Sequence, residues 1–462
     1  MRRLFGTNGI RFILGVDYDL LDILKIGYAI GTFFGKGKTC LLGRDVRITG
    51  DILVNAISSS LMSCGINVHY VGYITTPALQ WLTKHRGYDF SIMITASHNP
   101  PEFNGIKVID SDGIEIPREK EEQIEKIYYS GSFKLVEWRD VGELVNVDSW
   151  RIEYVKAVLS HVNIDDIKRR NLNVVVDPAN SVGTYTTPYA LKMAGCKVTT
   201  INAVLDGTFP GRHPEPKPEN LKLLSETVRA LGADFGVAHD GDGDRAIFVD
   251  EKGEVHWGDE SGALIVRDYL EKHPGEIVVT PVSSSKLIED VARKYGGRVV
   301  YTRVGSIIVS RTMVKIGAKI GLEENGGIFY GPHHPVRDGT MAALLIANIV
   351  AATGEPLSKL FSELPKYYHE KRSVPCPHSL KSMVLDIIKN EIKGVKVETI
   401  DGVKVWFSDG SWVLLRPSGT EPLFRIYAES KDPQQVKNIA DDAERKLRKI
   451  ISEVKHEHLK SK

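Results

Sequence analysis

The sequence predicts an α/β protein with three similar doubly wound α/β domains and a C-terminal α+β domain. Three observations lead to this fold class. The chain has 462 residues, which is too many for a single hydrophobic core. Patterns typical of strands and helices alternate through most of the chain, as in sheets whose parallel strands are joined by helices. From about residue 369 the pattern changes to successive strands followed by one long charged helix.

The first domain is predicted over residues 1–150. It opens with a glycine-bearing loop, 5–11, that ends in Arg11. Helix-spaced and strand-like apolar segments then alternate along the chain. The predicted helices are 20–34 and 51–64, the predicted strands are 40–43, 67–71 and 89–94, and another apolar segment covers 105–109.

The second and third domains are predicted over 151–255 and 256–368, with the same alternation. Their similar lengths indicate three related domains. The second is expected to contain helices 150–162, 185–194 and 221–231 and strands 173–176, 197–201, 235–238 and 246–249. The third is expected to contain helices 261–272, 285–295 and 307–316 and strands 276–280 and 298–301.

The fourth domain is predicted over 369–462. Two strand patterns, 402–407 and 412–415, flank the turn residues 408–410, and a third strand follows at 424–428. A charged helix from 433 to about 454 then closes the chain and is expected to pack on the sheet.

The composition is that of a cytoplasmic globular enzyme. The formal net charge is +1, so no overall basic field would attract nucleic acid. The four cysteines are far apart and match no metal-ligand or redox spacing. The longest apolar run, 341–352, is too short to span a bilayer and predicts a core helix. We therefore expect no nucleic-acid or membrane partner.

Thr95-Ala96-Ser97-His98-Asn99-Pro100 is the most informative stretch of the first domain. It follows the predicted strand 89–94, and its proline forces a turn by fixing its own φ and restricting the preceding residue. Ser97 is therefore expected at the carboxyl end of a strand, where open α/β sheets bind ligands. With Lys107 ten residues later, this hydroxyl suits a nucleophile or phosphate carrier. By itself, the stretch fits a capping serine in an ordinary turn equally well.

A second motif, Asp240-Gly241-Asp242-Gly243-Asp244-Arg245, predicts a divalent metal site. Three carboxylates at alternate positions can converge on one cation, and oxygen ligands favour Mg²⁺ or Ca²⁺. A calcium loop of the EF-hand type would explain Glu251 at the twelfth position. It requires glycine at the sixth position, which is Arg245, and helices rather than strands on both sides.

Two further loops carry convergent polar groups. Residues 416–422, with Arg425 beyond them, offer a guanidinium, hydroxyls and backbone N–H groups, as a phosphate cradle does. Residues 323–327 offer a carboxylate and an amide that can hydrogen-bond sugar hydroxyls. Taken alone, the first could equally be a turn and the second an ordinary polar loop.

Together the four motifs, which occur in this order with one per predicted domain, resemble the α-D-phosphohexomutase superfamily over essentially the whole chain. The resemblance implies four domains around a central cleft. Ser97 matches the serine that carries the phosphoryl group, and it would share the Mg²⁺ ion with three aspartates. The implied metal ligands are Ser97, Asp240, Asp242 and Asp244. The residues implied to bind the sugar and the phosphate are Glu323, Asn325, Arg416, Ser418, Gly419, Thr420 and Arg425. The other implied active-site residues are Arg11, His98, Lys107 and Arg245.

The resemblance also implies a mechanism. Phosphorylated Ser97 passes its phosphoryl group to a hexose phosphate, and the bisphosphate turns over and returns its other phosphate, so a hexose 1,6-bisphosphate serves as primer. One Mg²⁺ per site neutralises charge during transfer. Lys107 is the expected general base, with its pKa lowered by Arg11 and Arg245. A homodimer is a further expectation.

Three positions depart from the superfamily pattern. Gly327 stands where many members carry a histidine that assists proton transfer, Phe12 replaces a glycine, and Asn8 replaces an aspartate. Segments 5–11 and 416–422 look like phosphoglucosamine mutases, and Asn325 looks like archaeal-type members. The favoured substrate is glucosamine phosphate, with phosphomannomutase/phosphoglucomutase activity as the alternative. A metal-dependent sugar phosphatase and a non-catalytic sugar-phosphate sensor are remoter alternatives.

Overall fold

The structure is a computed structural model that describes residues 3–6, 8–419 and 421–460, with the side chains of 457–460 excepted. Each of its four sheets uses strands from one stretch of the chain. The first domain contains β1 (Ile10–Ile13), α1 (Leu20–Phe34), β2 (Thr39–Arg44), α2 (Gly50–Ser63), β3 (Asn67–Tyr73), α3 (Thr76–His85), β4 (Phe90–Ile94), β5 (Phe103–Asp110), α4 (Arg118–Ser130) and β6 (Leu144–Asn146).

The second and third domains follow with the same alternation of elements. The second contains α5 (Trp150–Leu159), α6 (Ile164–Arg170), β7 (Asn173–Asp177), α7 (Thr187–Ala194), β8 (Lys197–Thr200), α8 (Lys222–Leu231), β9 (Phe235–His239), β10 (Ala246–Asp250) and β11 (Val255–His256). The third contains α9 (Gly258–Lys272), β12 (Ile277–Pro281), α10 (Lys286–Lys294), β13 (Arg298–Thr302), α11 (Ser306–Ile316), β14 (Ile320–Glu323), β15 (Gly327–Tyr330), β16 (His334–Arg337), α12 (Gly339–Thr353) and α13 (Leu357–Ser362).

The first three sheets share one strand arrangement. Their orders are β6-β3-β2-β4-β5-β1, β8-β7-β9-β10-β11 and β13-β12-β14-β15-β16. In the orders given, the last two pairings of each sheet are antiparallel, and all the pairings before them are parallel. The prediction of three similar α/β domains is therefore confirmed, and the sheets are mixed rather than wholly parallel.

The fourth domain is an antiparallel sheet covered by helices. It contains β17 (Tyr368–Pro375), α14 (Lys381–Glu391), β18 (Lys396–Glu398), β19 (Val403–Trp406), β20 (Trp412–Pro417), β21 (Leu423–Ser430) and α15 (Pro433–Lys460), and the strand order is β17-β21-β20-β19-β18. Apolar residues of α15, such as Val436, Ala440 and Leu447, are buried against this sheet. The α+β prediction is confirmed, and the last helix extends beyond the predicted end to Lys460.

Buried contacts join the domains. One large core cluster spans the first three domains and includes Trp81, Tyr154 and Leu264. Helix α12 is buried along most of its length, as the apolar run 341–352 predicts. A smaller cluster joins Val282 of the third domain to Trp412 and Leu414 of the fourth. Across the residues that the structure describes, each helix is too short or too polar to cross a membrane.

Candidate active site

The three loops with the predicted site residues occupy equivalent positions in the first three sheets. The Ser97 loop joins β4 to β5, the three-aspartate loop joins β9 to β10, and the loop after Glu323 joins β14 to β15. Each loop therefore leaves the carboxyl end of a parallel strand and enters the neighbouring antiparallel strand. Side chains from equivalent ends of the three sheets can therefore meet at one place. The carboxyl ends of strands are also where open α/β sheets bind their ligands.

The backbone at Ser97 is held in an unusual conformation. Its φ is +51°, in the left-handed region that non-glycine residues seldom occupy. The Ser97 N–H donates to Thr95 Oγ1 at 2.9 Å, and Arg47 donates to the Ser97 carbonyl at 3.1 Å. Arg47 also donates to the carbonyl oxygens of Asn99 and Phe103 at 2.7 and 2.8 Å. One buried guanidinium therefore holds the backbone of this loop in place. In this conformation the Ser97 hydroxyl points towards the second domain.

The loops of the first and second domains touch at Ser97. Its hydroxyl donates to Asp240 Oδ2 at 2.8 Å, and both side chains are buried. A Cβ added to Gly241 would lie 2.4 Å from the Ser97 carbonyl oxygen, so only glycine allows this approach. The loops that contain Ser97 and Asp240, which the family resemblance places in one active site, are therefore in direct contact.

The three aspartates form a group that could hold a metal ion. One carboxylate oxygen from each of Asp240, Asp242 and Asp244 lies within 4.8 Å of the others, and all three residues are buried. Burial, followed by the charges of its two neighbours, raises the pKa of Asp240 well above the usual value. The Oδ1 atoms of Asp242 and Asp244 are buried without a hydrogen-bond partner. Because unpaired buried carboxylate oxygens are costly, these atoms fit a divalent cation.

The other oxygens of Asp242 and Asp244 are held by protein groups. Lys107 Nζ donates to Asp242 Oδ2 at 2.7 Å and to Asp244 Oδ2 at 3.4 Å. Thr76, the first residue of α3, donates its hydroxyl to Asp242 Oδ2 at 2.6 Å. These contacts leave the Oδ1 atoms of Asp242 and Asp244 without a hydrogen-bond partner.

The predicted lowering of the Lys107 pKa is wrong. Burial alone would lower that pKa, but the charges of Asp242, Asp244 and Glu115 outweigh burial and raise it. The guanidinium groups that were expected to lower it contact other residues instead: Arg245 Nη2 approaches His98, and Arg11 Nη1 donates to Asn99 Oδ1 at 2.8 Å. Lys107 is therefore an ammonium ion in this structure.

His98 is a neutral imidazole beside Ser97. Its Nδ1 lies 3.3 Å from Ser97 Oγ and 3.0 Å from Arg245 Nη2. Since arginine can only donate, His98 Nδ1 must accept from it. Burial and the charges of Arg245 and Arg11 keep the pKa of His98 well below its usual value. Part of the Arg11 side chain remains accessible to solvent. Even so, the surrounding protein desolvates its guanidinium and lowers its pKa to about 10.

Arg337 is a site residue that sequence reasoning missed. It lies at the end of β16, and it donates to Asp244 Oδ2 at 2.6 Å and to Glu323 Oε2 at 3.2 Å. It therefore joins the aspartate loop to the predicted sugar-binding loop. Asn325 turns back on its own loop, where its Oδ1 accepts from the Gly327 N–H at 3.3 Å. Arg337 belongs to no recognisable motif, so the sequence contained no signal for its role.

The predicted phosphate-binding loop lies between β20 and β21. Arg416 Nε donates to Asp401 Oδ2 at 2.6 Å, and Arg425 donates to Glu421 Oε2 at 2.6 Å. Lys381, which sequence reasoning also missed, donates to the Ser418 carbonyl at 2.5 Å. Gly419 lies in the same loop, whereas Thr420 is outside the described residues. Among the described residues, the side-chain hydrogen bonds of this loop stay within the fourth domain and do not reach Ser97.

Arg47 and Thr76 were also missed as site residues. Arg47 follows β2 in the stretch 44–47, whose position after a strand was the available signal. Thr76 had none, because the sequence analysis did not predict α3. Both act on predicted residues from a distance in sequence: Arg47 on Ser97 and Thr76 on Asp242.

Models of four domains from one protein family match the chain in order. They describe the phosphoglucomutase/phosphomannomutase alpha/beta/alpha domain I at residues 2–135, domain II at 152–253, domain III at 257–368 and the C-terminal domain at 380–446. The four matches together cover well over half of the sequence.

Individual relatives extend over nearly the whole chain. A phosphoglucosamine/phosphogalactosamine mutase from Sulfurisphaera tokodaii is 45% identical over 459 residues, which cover 98% of this chain and 99% of the relative. A phosphoglucomutase/phosphomannomutase from Thermococcus kodakarensis is 42% identical over 442 residues, which cover 95% and 96%. The crystal structure of a phosphoglucomutase/phosphomannomutase family protein from Burkholderia thailandensis matches with a TM-score of 0.87 at 26% identity, covering 98% of both chains.

Proposed function

The chain belongs to the phosphoglucomutase/phosphomannomutase family and is a phosphosugar mutase, and on that premise we propose that it moves a phosphoryl group between the 1- and 6-positions of a hexosamine phosphate through phosphorylated Ser97. The observation that carries this proposal is the buried Ser97 hydroxyl, which donates at 2.8 Å to the three-aspartate group. A serine held in this way can carry the phosphoryl group between the two sugar oxygens.

The charges around Ser97 support a phosphorylated serine together with a divalent cation. The carboxylates of Asp240, Asp242, Asp244 and Glu323 lie beside the cations Lys107, Arg245 and Arg337. A phosphoryl group would add a charge of about −2, and a divalent cation would compensate that added charge. When bound, Mg²⁺ would neutralise charge on the transferring phosphoryl group.

We propose that Ser97, Asp240, Asp242 and Asp244 hold one Mg²⁺ ion per site. The two unpartnered Oδ1 atoms of Asp242 and Asp244 support this assignment. In each half-reaction the P–O bond to the donor oxygen breaks as the bond to the acceptor oxygen forms. The acceptor hydroxyl loses a proton, and the departing oxygen gains one.

Lys107 is the group that we propose for proton exchange. As an ammonium it is ready to donate to the departing oxygen, and the resulting amine can accept the proton in the reverse direction, as a general base. Neutral His98 lies 3.3 Å from Ser97 Oγ and accepts a hydrogen bond from Arg245 through the same Nδ1 atom. Arg11 donates to Asn99 in the Ser97 loop and so places a positive charge beside this loop.

Glu323 and Asn325 are proposed to bind the sugar hydroxyls. Arg416, Ser418, Gly419, Thr420 and Arg425 are proposed to hold the phosphate that is not being transferred. Because the two phosphates exchange roles, this cradle has to accept either end of the sugar. A hexose 1,6-bisphosphate is the proposed primer that loads Ser97.

The substrate is proposed to be glucosamine phosphate. The support is the relative from Sulfurisphaera tokodaii, which is named for glucosamine and galactosamine and shares 45% of residues. Glucose and mannose phosphates are the second candidates, because the relative from Thermococcus kodakarensis is named for them at 42% identity.

A coupled mutase assay tests the proposal. Purified protein with Mg²⁺ and a hexose 1,6-bisphosphate primer should isomerise glucosamine 6-phosphate with a higher kcat/KM than glucose 1-phosphate or mannose 1-phosphate. Chelation of Mg²⁺ and the Ser97→Ala substitution should each abolish turnover, and mass spectrometry should find phosphate on Ser97 only in the wild type. Turnover that survives Ser97→Ala would refute the phosphoserine mechanism.

Several broader expectations stay proposals. We propose domain boundaries at 150/151, 255/256 and 368/369, a cytoplasmic location, no nucleic-acid binding and assembly as a homodimer. Limited proteolysis would test the boundaries, and sedimentation velocity would test the homodimer.

A further inference from the structure

Arg337 bridges the two loops that the proposed function assigns to the metal and to the sugar. Its guanidinium is 6% exposed and donates to Asp244 from Nη2 and to Glu323 from Nη1. A planar guanidinium can serve two carboxylates in fixed directions, which an ammonium cannot do. Arg337 is therefore the single side chain in hydrogen-bonding contact with both of these carboxylates among the residues that the structure describes.

Gly327 provides the space that Arg337 occupies. A Cβ added to Gly327 would lie 2.5 Å from Arg337 Cδ and 3.0 Å from its Cγ. The first distance is shorter than real Cβ contacts and the second is tighter than most of them, so a side chain at residue 327 would displace the arginine stem. Gly327 begins β15 and Arg337 ends β16, and these two strands pair in the third sheet. Gly327 and Arg337 thus lie on neighbouring strands, with Arg337 in register with Phe329, two residues after Gly327.

The contact with Asp244 determines which carboxylate oxygen is available. Arg337 and Lys107 both bind Asp244 Oδ2, while Oδ1 is buried and unpartnered. Because both donors bind Oδ2, they restrict rotation of the Asp244 carboxylate and leave Oδ1 without a hydrogen bond. On the other side, the same guanidinium holds Glu323 Oε2 and so fixes the carboxylate of the proposed sugar-binding loop.

From this geometry we propose that Arg337 is a positioning residue that orients Asp244 for the cation and Glu323 for the sugar at the same time, and that Gly327 is required for it to do so. The inference rests on the proposed mutase function. A residue with this role links cation binding and sugar binding, so that a change at Arg337 alters both. Loss of such an orienting partner typically costs about 10- to 100-fold in metal affinity or activity.

Two variants test this role. Arg337→Lys keeps one positive charge but cannot bridge two carboxylates, whereas Gly327→Ala keeps the arginine and displaces its stem. We expect each variant to raise the KM for the hexose phosphate and to weaken Mg²⁺ binding in calorimetry by about 10-fold or more. Arg267→Lys is the matched control, because Arg267 is a buried arginine of the same domain that pairs with Glu363 at 2.9 Å, away from the site.

The measurements separate positioning from a general structural effect. A purely structural role would lower the melting temperature of Arg337→Lys and of the control alike, without changing Mg²⁺ affinity or KM. That result would overturn the proposal, as would Gly327→Ala with wild-type values of both. If Arg337→Lys does not fold, Gly327→Ala decides. Failure of the mutase proposal would be recognised separately, because the wild-type protein would then show no turnover. In that case, Mg²⁺ calorimetry on the variants would still test whether Arg337 orients Asp244.

Discussion

Replacing Arg47 by lysine should release the Ser97 loop while leaving the reacting hydroxyl intact. Arg47 is buried, and it donates to the carbonyl oxygens of Ser97, Asn99, Pro100 and Phe103. Its own orientation is fixed by Asp45, whose Oδ2 accepts from Arg47 Nε at 3.1 Å. A lysine ammonium has only three N–H donors for these five acceptors, so at least two of the contacts are lost.

The size of the effect follows from those lost contacts. A hydrogen bond from a charged donor contributes about 1.5–3 kcal/mol, so losing two costs about 3–6 kcal/mol if the loop stays in place. The positive φ of Ser97 adds strain of about 1–3 kcal/mol that favours release. If the variant's open loop is favoured over the closed loop by about 2 kcal/mol, the active population falls about 30-fold, since 1.4 kcal/mol corresponds to a factor of ten.

Steady-state kcat at saturating substrate and Mg²⁺, with the melting temperature, measures this prediction. We expect Arg47→Lys to lower kcat by about 30-fold or more and to lower the melting temperature. Arg86→Lys is the control, since Arg86 of the same domain pairs with Glu153 of the second domain at 2.6 Å. A kcat for Arg47→Lys within threefold of the wild type would refute the view that this guanidinium holds Ser97 in its reactive conformation.

Two further predictions concern Lys107 and His256. Lys107→Met should lower kcat by about 100- to 10,000-fold, as expected for loss of a proton-transfer group, and a loss below tenfold in single-turnover assays would exclude that role. Burial would lower the pKa of His256, but its hydrogen bonds to Asp250 and Glu260 raise it from 6.5 to about 9. The stabilisation is therefore complete below pH 6.5 and is lost as the pH rises through about 9. The melting temperature of the wild type should fall over that pH window, whereas that of His256→Gln should stay level. Equal dependence of the two melting temperatures on pH would contradict the stabilising role of protonated His256.

The elements that the sequence predicted well are those with one buried face. Helix α1 has the predicted bounds 20–34, with Asp19 capping its first turn. Helix α3 was missed because nearly all its residues, from Thr76 to Thr83, are buried, which removes the helical period. Helix α4 was missed for the opposite reason, since only a few of its residues are buried. Strand β17 was missed because it lies at a sheet edge and alternates charged residues with few apolar ones.

The sequence by itself determined the chemistry of this protein, because its chemical groups lie in short continuous motifs. Ser97 on its loop, the three alternating aspartates and the order of the four motifs all depend on residues within a few positions of one another. Such local patterns constrain the backbone directly, through a proline, a glycine or a strand end. The family and the reaction class followed from them.

The tertiary structure alone decided how those groups act on one another. The contact of Ser97 with Asp240 joins residues 143 positions apart, and that of Arg337 with Asp244 joins residues 93 apart. The charge of Lys107 was misjudged for the same reason, because nearby carboxylates rather than the expected arginines set its pKa. Electrostatic interactions depend on distance and burial, and both are properties of the folded chain that no local pattern contains.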